Sequence, residues 1–165
     1  VMDLYRQVRE DHPMLGITLP ANLLRVETEC RRLGAEGARV RLCVGSYPAG
    51  RAVSHVTEHD KALALVRCLR ILMESRAYPM LATHDPRIIE LAQELALRNG
   101  RGPESFEYQM FHGVRPLEQR RLADIGLRCR TYIPFGPGWY GYLATRMAAR
   151  PRILFSYARA LLDKR

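Results

Sequence analysis

The sequence has almost no lysine and no long apolar run, and each absence argues against a class of protein. Only Lys61 and Lys164 stand beside 24 arginines, and the net charge is +9. The arginines are spread over every segment instead of clustering on one element, which argues against a nucleic-acid-binding surface. No apolar run reaches 18 residues, so the sequence predicts no transmembrane helix. The start also lacks the layout of a signal peptide, and we therefore expect a cytoplasmic protein.

Motifs that bind metals or exchange disulfides are also missing. The four cysteines are widely separated and form no C-x-x-C pair, which argues against a zinc ribbon or a redox dithiol. Cys43 and Cys129 lie in apolar runs, so we predict buried thiols. His55 and His59 have the H-x3-H spacing but no third ligand nearby. The sequence therefore predicts no metal site and a loop leading into a helix at this pair.

Five short apolar runs are present, and a longer amphipathic stretch follows each of them. The runs cover residues 15–19, 40–44, 79–83, 106–110 and 128–133, and the stretches cover residues 22–33, 60–76, 86–98, 116–125 and 139–150, with a final apolar helix over 153–162. This alternation predicts an α/β fold, in which a parallel sheet is joined by right-handed crossovers. No linker divides the sequence, so we predict one domain over residues 1–165.

Two architectures fit five βα units, a doubly wound sheet and part of a (βα)8 barrel. No G-x-G-x-x-G follows the first strand, which removes the strongest indication of a dinucleotide-binding sheet. Polar residues follow four of the predicted strands, within 41–47, 83–85, 107–112 and 132–136. Both architectures place function at the carboxyl ends of strands, so this pattern predicts a site and leaves the fold open.

Four of these segments, taken in order, resemble the proline dehydrogenase family. Residues 39–47 are similar to its R-L-V-K-G-A-Y strand, residues 82–85 to A-T-H-D/N, residues 106–114 to F-E-F/Y-Q-x-L-x-G, and residues 132–136 with 139–142 to Y-x-P-x-G followed by W-Y-x-Y. One such motif is a weak signal, whereas four in the same order are specific. The resemblance extends from Leu15 onward.

The resemblance implies a distorted (βα)8 barrel that holds FAD at the carboxyl ends of its strands, with a C-terminal helix closing over the substrate. This sequence corresponds to the last five βα units, so we expect a fragment whose first three strands lie upstream of Val1. The implied reaction is the oxidation of L-proline, or a similar cyclic amine, to 1-pyrroline-5-carboxylate in proline catabolism. Electrons would pass to a quinone, which implies a peripheral contact with the inner membrane.

The resemblance also assigns residues to the cofactor. Arg41 corresponds to the catalytic arginine beside the flavin ring, where a fixed cation favours the reduced form. The other implied FAD contacts are Val44, Gly45, Ser46, Thr83 and His84. Taken alone, Arg41 also fits an ordinary ion pair, and His84 fits a contact that caps the helix after it.

The substrate side of the implied site departs from the family. Tyr132 and Tyr142 correspond to the pocket wall, although Tyr142 also fits simple core packing. Thr145 and Arg146 stand where the family has two arginines that bind the substrate carboxylate, so only Arg146 keeps that function. Further replacements are Pro20 for Gln, Asn22 for Tyr, Val44 for Lys and Ala149 for Glu. These changes leave open a catalytically reduced or substrate-shifted flavin-binding relative.

Overall fold

Strands and helices alternate along the chain, as the apolar runs predict. The computed structural model describes residues 1–45, 49–142 and 144. The elements are α1 (Met2–Asp11), β1 (Gly16–Pro20), α2 (Val26–Ala35), β2 (Arg39–Cys43), α3 (Glu58–Glu74), β3 (Tyr78–Ala82), α4 (Pro86–Arg98), a short 3-10 helix (Pro103–Ser105), β4 (Glu107–Phe111), α5 (Pro116–Asp124) and β5 (Cys129–Tyr132). Residues 139–142 begin the next helix. The final helix predicted over 153–162 lies outside the described residues.

All five strands are parallel, and their order in the sheet follows their order in the chain. Parallel crossovers are almost always right-handed, so this order places every connecting helix on the same face of the sheet. A doubly wound sheet instead reverses its strand order at one point and carries helices on both faces. The structure therefore resolves the alternative that the sequence pattern leaves open, in favour of a barrel wall.

The two faces of the sheet differ in chemistry because successive side chains in a strand point to opposite sides. Toward the helices the strands present fully or nearly buried apolar residues, namely Ile17, Leu19, Val40, Leu42, Leu81, Tyr108 and Met110. The opposite face, which corresponds to a barrel interior, carries Arg39, Arg41, Tyr78, Glu107, Gln109 and Arg130. The core thus lies between sheet and helices, and the polar face is available for chemistry.

The helix boundaries follow local capping rules, and the largest differences from the sequence prediction are in α1 and α2. The Asp85 side chain caps α4 by accepting from Arg87 N, and Pro86 occupies the first turn. Helix α2 begins four residues later than predicted, because Asn22 N donates to Val44 O at 3.0 Å and keeps this segment against the sheet. Helix α1 was not predicted, and it buries Tyr5.

Arg101 lies in the loop after α4 and hydrogen-bonds to the end of α3. Its guanidinium donates to five carbonyl oxygens, namely those of Leu72, Met73, Ser75, Ala77 and Ser105. The last carbonyls of a helix have no partner within the helix, so an external cation satisfies them well. Burial lowers the pKa of Arg101 from its ordinary value, which shows how closely the surroundings enclose it.

The prediction of buried thiols, made for Cys43 and Cys129, is wrong. Cys43 is half-buried because its side chain points to the polar face, and Cys129 is half-buried on β5, the last described strand. Cys30 and Cys68 are the buried thiols, on the packed helices α2 and α3. None of the described helices combines the length and apolar character needed to cross a bilayer.

Candidate active site

Arg41 lies near the carboxyl end of β2, on the polar face of the sheet. It is half-buried, and its Nε donates to Gln109 Oε1 at 2.7 Å. The guanidinium carbon is 6.0 Å from the centre of the Tyr132 ring, the outer limit of a cation–π contact. Within residues 1–45, 49–142 and 144, no hydrogen bond reaches either Nη of Arg41.

A chain of hydrogen bonds continues from Arg41 to a buried carboxylate. Gln109 Nε2 donates to Glu107 Oε1 at 2.7 Å. Arg130 binds the same carboxylate through two nitrogens at 2.9 and 3.0 Å, and the Tyr78 hydroxyl lies 3.3 Å from it. Glu107 is only 2% exposed, so these partners replace the water that an ionised carboxylate would otherwise bind.

The protonation of Glu107 reflects a competition between burial and its partners. Burial favours the neutral acid and by itself would raise the pKa of Glu107. The hydrogen bonds from Arg130 and Gln109 favour the carboxylate, and together they hold the pKa below its ordinary value. The carboxylate is therefore ionised at neutral pH, and it stabilises the fold in that form.

This direction of shift predicts how stability depends on pH. A carboxyl group with a lowered folded-state pKa stabilises the fold above its unfolded-state pKa, and that contribution is lost as the pH falls through the folded-state pKa. We expect Glu107→Gln to lower the free energy of unfolding by about 2 kcal/mol at pH 7, with the deficit shrinking at acidic pH. Urea unfolding of the complete protein at several pH values measures this. Glu94→Gln, at an exposed position on α4, is the control, and an equal pH dependence in both variants would refute the prediction.

Aromatic rings form a wall beside Arg41. Phe111, the last residue of β4, packs edge to face against Tyr132 with ring centres 5.1 Å apart. The Tyr142 ring centre is 6.4 Å from both. His84 stacks on Phe111 with ring centres 5.8 Å apart, and its Nε2 accepts from Phe111 N at 2.9 Å. Because Nε2 is an acceptor, His84 is the neutral imidazole with its proton on Nδ1.

The segment after β2 is tied to the loop after β1. Gly45 has φ +98°, in the region that favours glycine. A Cβ at Gly45 would overlap Asn22 Oδ1 and lie 2.6 Å from its Cγ, and Asn22 is itself buried. Val44 is half-buried and packs against the hydrophobic core. Gly45 is thus required by both backbone conformation and close packing against Asn22.

We expect Gly45→Ala to destabilise the complete protein by about 2 kcal/mol, because alanine combines the unfavourable φ with the overlap at Asn22. Thermal or urea unfolding measures the change. Gly50→Ala is the matched control, since nothing lies within 4 Å of a Cβ built there and its φ is not in the glycine region. A Gly45→Ala variant as stable as Gly50→Ala would show that the Asn22 loop moves freely.

Thr83 and Asp85 shape the turn between β3 and α4. Thr83 is 8% exposed, and its Oγ1 accepts from Asp85 N at 3.2 Å. The Arg87 guanidinium beside Asp85 holds the pKa of that carboxyl below its usual range. Arg115 donates through Nη1 to His84 O at 2.9 Å, and its own backbone has φ 52°. Arg87 of α4 and Arg115 at the start of α5 therefore both stabilise this turn.

The structure brings four of the predicted site residues into one cluster, namely Arg41, His84, Tyr132 and Tyr142. Val44, Gly45 and Thr83 follow strand ends on the same edge, but their described contacts are with neighbouring loops and the core. Ser46, Thr145 and Arg146 lie outside the described residues. The ligand-binding roles assigned to all ten stay predictions.

Sequence reasoning missed three residues of this cluster as site residues, although all three stand in the segment 106–114. Glu107 and Gln109 form the hydrogen-bond chain, and Phe111 is the centre of the aromatic wall. The signal was present, because polar residues two apart in an otherwise buried parallel strand share one face. That face cannot be the helix-packed one, so it has to be the interior.

The sequence comparisons agree on one family. A family model described as proline dehydrogenase matches residues 56–146. Proline dehydrogenase 1 of Bacillus subtilis (strain 168) is 30% identical over 163 residues, which cover 99% of this chain and 54% of the relative. Proline dehydrogenase of Deinococcus radiodurans is 32% identical over 138 residues, covering 84% of this chain and 44% of the relative. The chain thus spans about half the length of the curated relatives it matches.

Solved structures show the same fold. Proline utilization A from Bdellovibrio bacteriovorus, inactivated by N-propargylglycine, superposes with a TM-score of 0.71 at 24% identity, over 80% of this chain and 16% of that one. Proline utilization A from Corynebacterium freiburgense gives 0.71 at 16% identity, over 98% and 20%. The five-stranded sheet is therefore part of a barrel domain, as the strand order indicates. With the match over more than half of its residues, the chain belongs to the proline dehydrogenase family.

Proposed function

We propose that the complete protein is an FAD-dependent dehydrogenase that oxidises L-proline, or a similar cyclic amine, to 1-pyrroline-5-carboxylate and passes the electrons to a quinone. Family membership supports the reaction class. The observation that carries the proposal is Arg41, a half-buried cation at the carboxyl edge of the sheet whose Nη edge has no hydrogen-bond partner among the described residues. Ligand sites of barrel enzymes lie at this edge.

The residues on the polar edge fit a flavin. Arg41 offers an oriented cation to a ring that becomes electron-rich, and the wall of Phe111, Tyr132 and Tyr142 offers an apolar surface. The Thr83 hydroxyl accepts from Asp85 N and retains its own proton for donation to a phosphate. When bound, FAD supplies the acceptor for a hydride equivalent from the carbon next to the substrate nitrogen.

The protein's own residues bind and orient the reactants. Arg41 stabilises negative charge near the reacting centre, where burial makes a fixed cation more effective than in water. Tyr132 and Tyr142 exclude water from one side of the pocket. Arg146, by its place in the sequence, would bind the substrate carboxylate, for which one guanidinium offers a bidentate geometry.

A substrate-shifted or catalytically reduced relative is the second candidate, and Val44 favours it. The Val44 side chain packs against the core, so no cation stands at this position, where the resembling motif has lysine. Thr145 likewise removes one of two guanidinium groups. Loss of one hydrogen bond to a charged group weakens binding by about 1.5–3 kcal/mol, which reduces affinity for a carboxylate-bearing substrate.

Absorption spectroscopy of the purified complete protein tests the proposal. We expect a flavin spectrum that bleaches when L-proline is added without oxygen, and that does not bleach with D-proline. Bleaching by pyrrolidine, which lacks the carboxylate, without bleaching by L-proline would identify the substrate-shifted relative. A flavin spectrum that no amine bleaches would identify the reduced relative, and a colourless protein that does not bind added FAD would refute the proposal.

A quinone acceptor also implies that the reaction takes place at the membrane surface. We propose a cytoplasmic protein that touches the inner membrane peripherally, since quinones reside in the bilayer. Sedimentation with vesicles that contain a quinone, before and after reduction by proline, measures this contact. Equal recovery in the supernatant with and without vesicles would argue against it.

A further inference from the structure

We propose that Gln109 and Glu107 are positioning residues for Arg41, holding it by Nε through a neutral acceptor so that its charge stays uncompensated and its Nη edge faces the ligand. This inference rests on the proposed flavin chemistry. Arg41 is the residue that acts on the ligand, and Gln109 and Glu107 act through it. The direction of two hydrogen bonds and the placement of one charge support these roles.

The direction of the hydrogen bonds is set by Glu107. An ionised carboxylate can only accept, so Gln109 has to turn its amide nitrogen toward Glu107 Oε1, at 2.7 Å. That orientation leaves the amide oxygen of Gln109 facing Arg41 Nε, also at 2.7 Å. Each donor in the chain thus has one acceptor, and a flipped amide would place two donors, or two acceptors, face to face.

The reach of Arg41 is unusual because its partner is not on a neighbouring strand. Arg41 belongs to β2 and Gln109 to β4, with β3 between them. Met80 is the β3 residue beside Arg41, and Ala82 is the β3 residue beside Gln109. The small side chain of Ala82 leaves room for the two long side chains to meet above β3. The guanidinium is therefore fixed across the interior instead of extending freely into solvent.

The placement of charge distinguishes this series of hydrogen bonds from an ordinary ion pair. Glu107 is neutralised by the bidentate contact of Arg130, at 2.9 and 3.0 Å. Among the residues that the structure describes, the hydrogen-bond partner of Arg41 is the neutral amide of Gln109, and Arg41 forms no ion pair with any of them. A carboxylate in place of Gln109 would form an ion pair with Arg41 and cancel much of its field at a neighbouring ligand. A neutral spacer preserves that field while still fixing the side chain.

The reduction potential of the bound flavin tests the placement of charge. In the complete, flavin-loaded protein we expect Gln109→Glu, which keeps the size of the side chain, to lower the two-electron midpoint potential by about 30 mV or more, a tenfold change in the equilibrium constant. Gln93→Met, a half-buried glutamine on α4, is the control and should leave the potential unchanged. A Gln109→Glu potential equal to that of the wild type would overturn the charge argument.

A double-mutant cycle tests whether Gln109 acts through Arg41. We expect Gln109→Met to weaken FAD binding and to slow anaerobic flavin reduction by proline about tenfold, with little further loss when it is added to Arg41→Met. Additive losses would overturn the proposal, because they would show an effect independent of Arg41. If Gln109→Met does not fold, the potential of Gln109→Glu still decides.

Different experimental results would refute this inference and the proposed function. A wild-type protein without flavin, or with a flavin that no amine reduces, refutes the function. A wild-type protein that is reduced by proline, combined with unchanged potentials and additive variants at Gln109, refutes only the positioning role. Glu107→Gln supplies one more check, since a glutamine can present either an acceptor or a donor to Gln109 and no longer fixes its orientation, which should reproduce part of the slowed reduction seen for Gln109→Met.

Discussion

Replacing Arg101 with methionine is expected to lower the free energy of unfolding of the complete protein by about 3 to 4 kcal/mol. The guanidinium donates to five carbonyl oxygens, and three of them belong to the buried residues Leu72, Met73 and Ala77. Methionine retains much of the apolar stem but has no donor, so the Met73 and Ala77 carbonyls would lose the guanidinium, whereas Leu72 O would keep its hydrogen bonds from Ser75 N and Oγ. A buried acceptor without a partner costs about 1–3 kcal/mol, which sets the scale. Urea unfolding followed by circular dichroism measures the loss.

Arg98→Met is the matched control for this experiment. Arg98 is at the end of α4, three residues before Arg101, but its side chain is 70% exposed and pairs with Glu94 at 3.6 Å. Exposed pairs of this kind contribute about 0–1 kcal/mol, so we expect a small change. A similar loss of unfolding free energy in both variants would show that water satisfies the carbonyls near Arg101 as well as the guanidinium does.

Arg41→Met is expected to slow flavin reduction by about a hundredfold, the scale on which removal of an electrostatic stabiliser lowers a rate. The fold should remain, because Arg41 is only half-buried and, in the described part of the chain, hydrogen-bonds to Gln109 alone. Stopped-flow measurement of flavin bleaching by L-proline gives the rate, and thermal unfolding verifies the fold. The effect follows from the position of the cation at the strand end.

Arg39→Met separates that effect from a general loss of positive charge. Arg39 lies two residues earlier on the same strand and the same face, and its guanidinium stacks on Tyr78 at 4.0 Å from the ring centre. It is farther from the carboxyl edge, so we expect reduction rates within a few-fold of the wild type. Unchanged kinetics in Arg41→Met, or equal slowing in both variants, would show that Arg41 has no specific role beside the flavin.

The sequence predicted the order of elements because local patterns suffice for it. Helix α4 was predicted with its observed bounds, since Pro86 marks its start and Asn99-Gly100 its end. Helix α2 was placed too early, because the hydrogen bond from Asn22 N to Val44 O joins segments far apart in sequence. No local pattern reports such a bond. The strand and helix pattern has the same limit for barrel against doubly wound sheet, because strand order is a long-range property; the family resemblance predicted the barrel, and the strand order confirms it.

The candidate site, too, was predicted only in part from the sequence. The resemblance identified Arg41, His84, Tyr132 and Tyr142, and the structure places them together. It did not identify the bond between Arg41 and Gln109, because that contact crosses an intervening strand. The role of His84 also differs from a simple cap, since its ring accepts from the backbone of Phe111. Motifs thus locate side chains, whereas their partners depend on how the strands are assembled.

The sequential strand order has a consequence for how the protein is made. Each of β2 to β5 pairs with the strand that precedes it in the chain, so each of these four strands finds a partner already synthesised when it leaves the ribosome. Assembly can therefore proceed from the amino toward the carboxyl end during translation, with one crossover connection closed at each step and an entropy loss that grows only slowly with the length of that connection. Slow codons placed after α3 or α4 would give the growing sheet time to dock, and a pause within a strand would not.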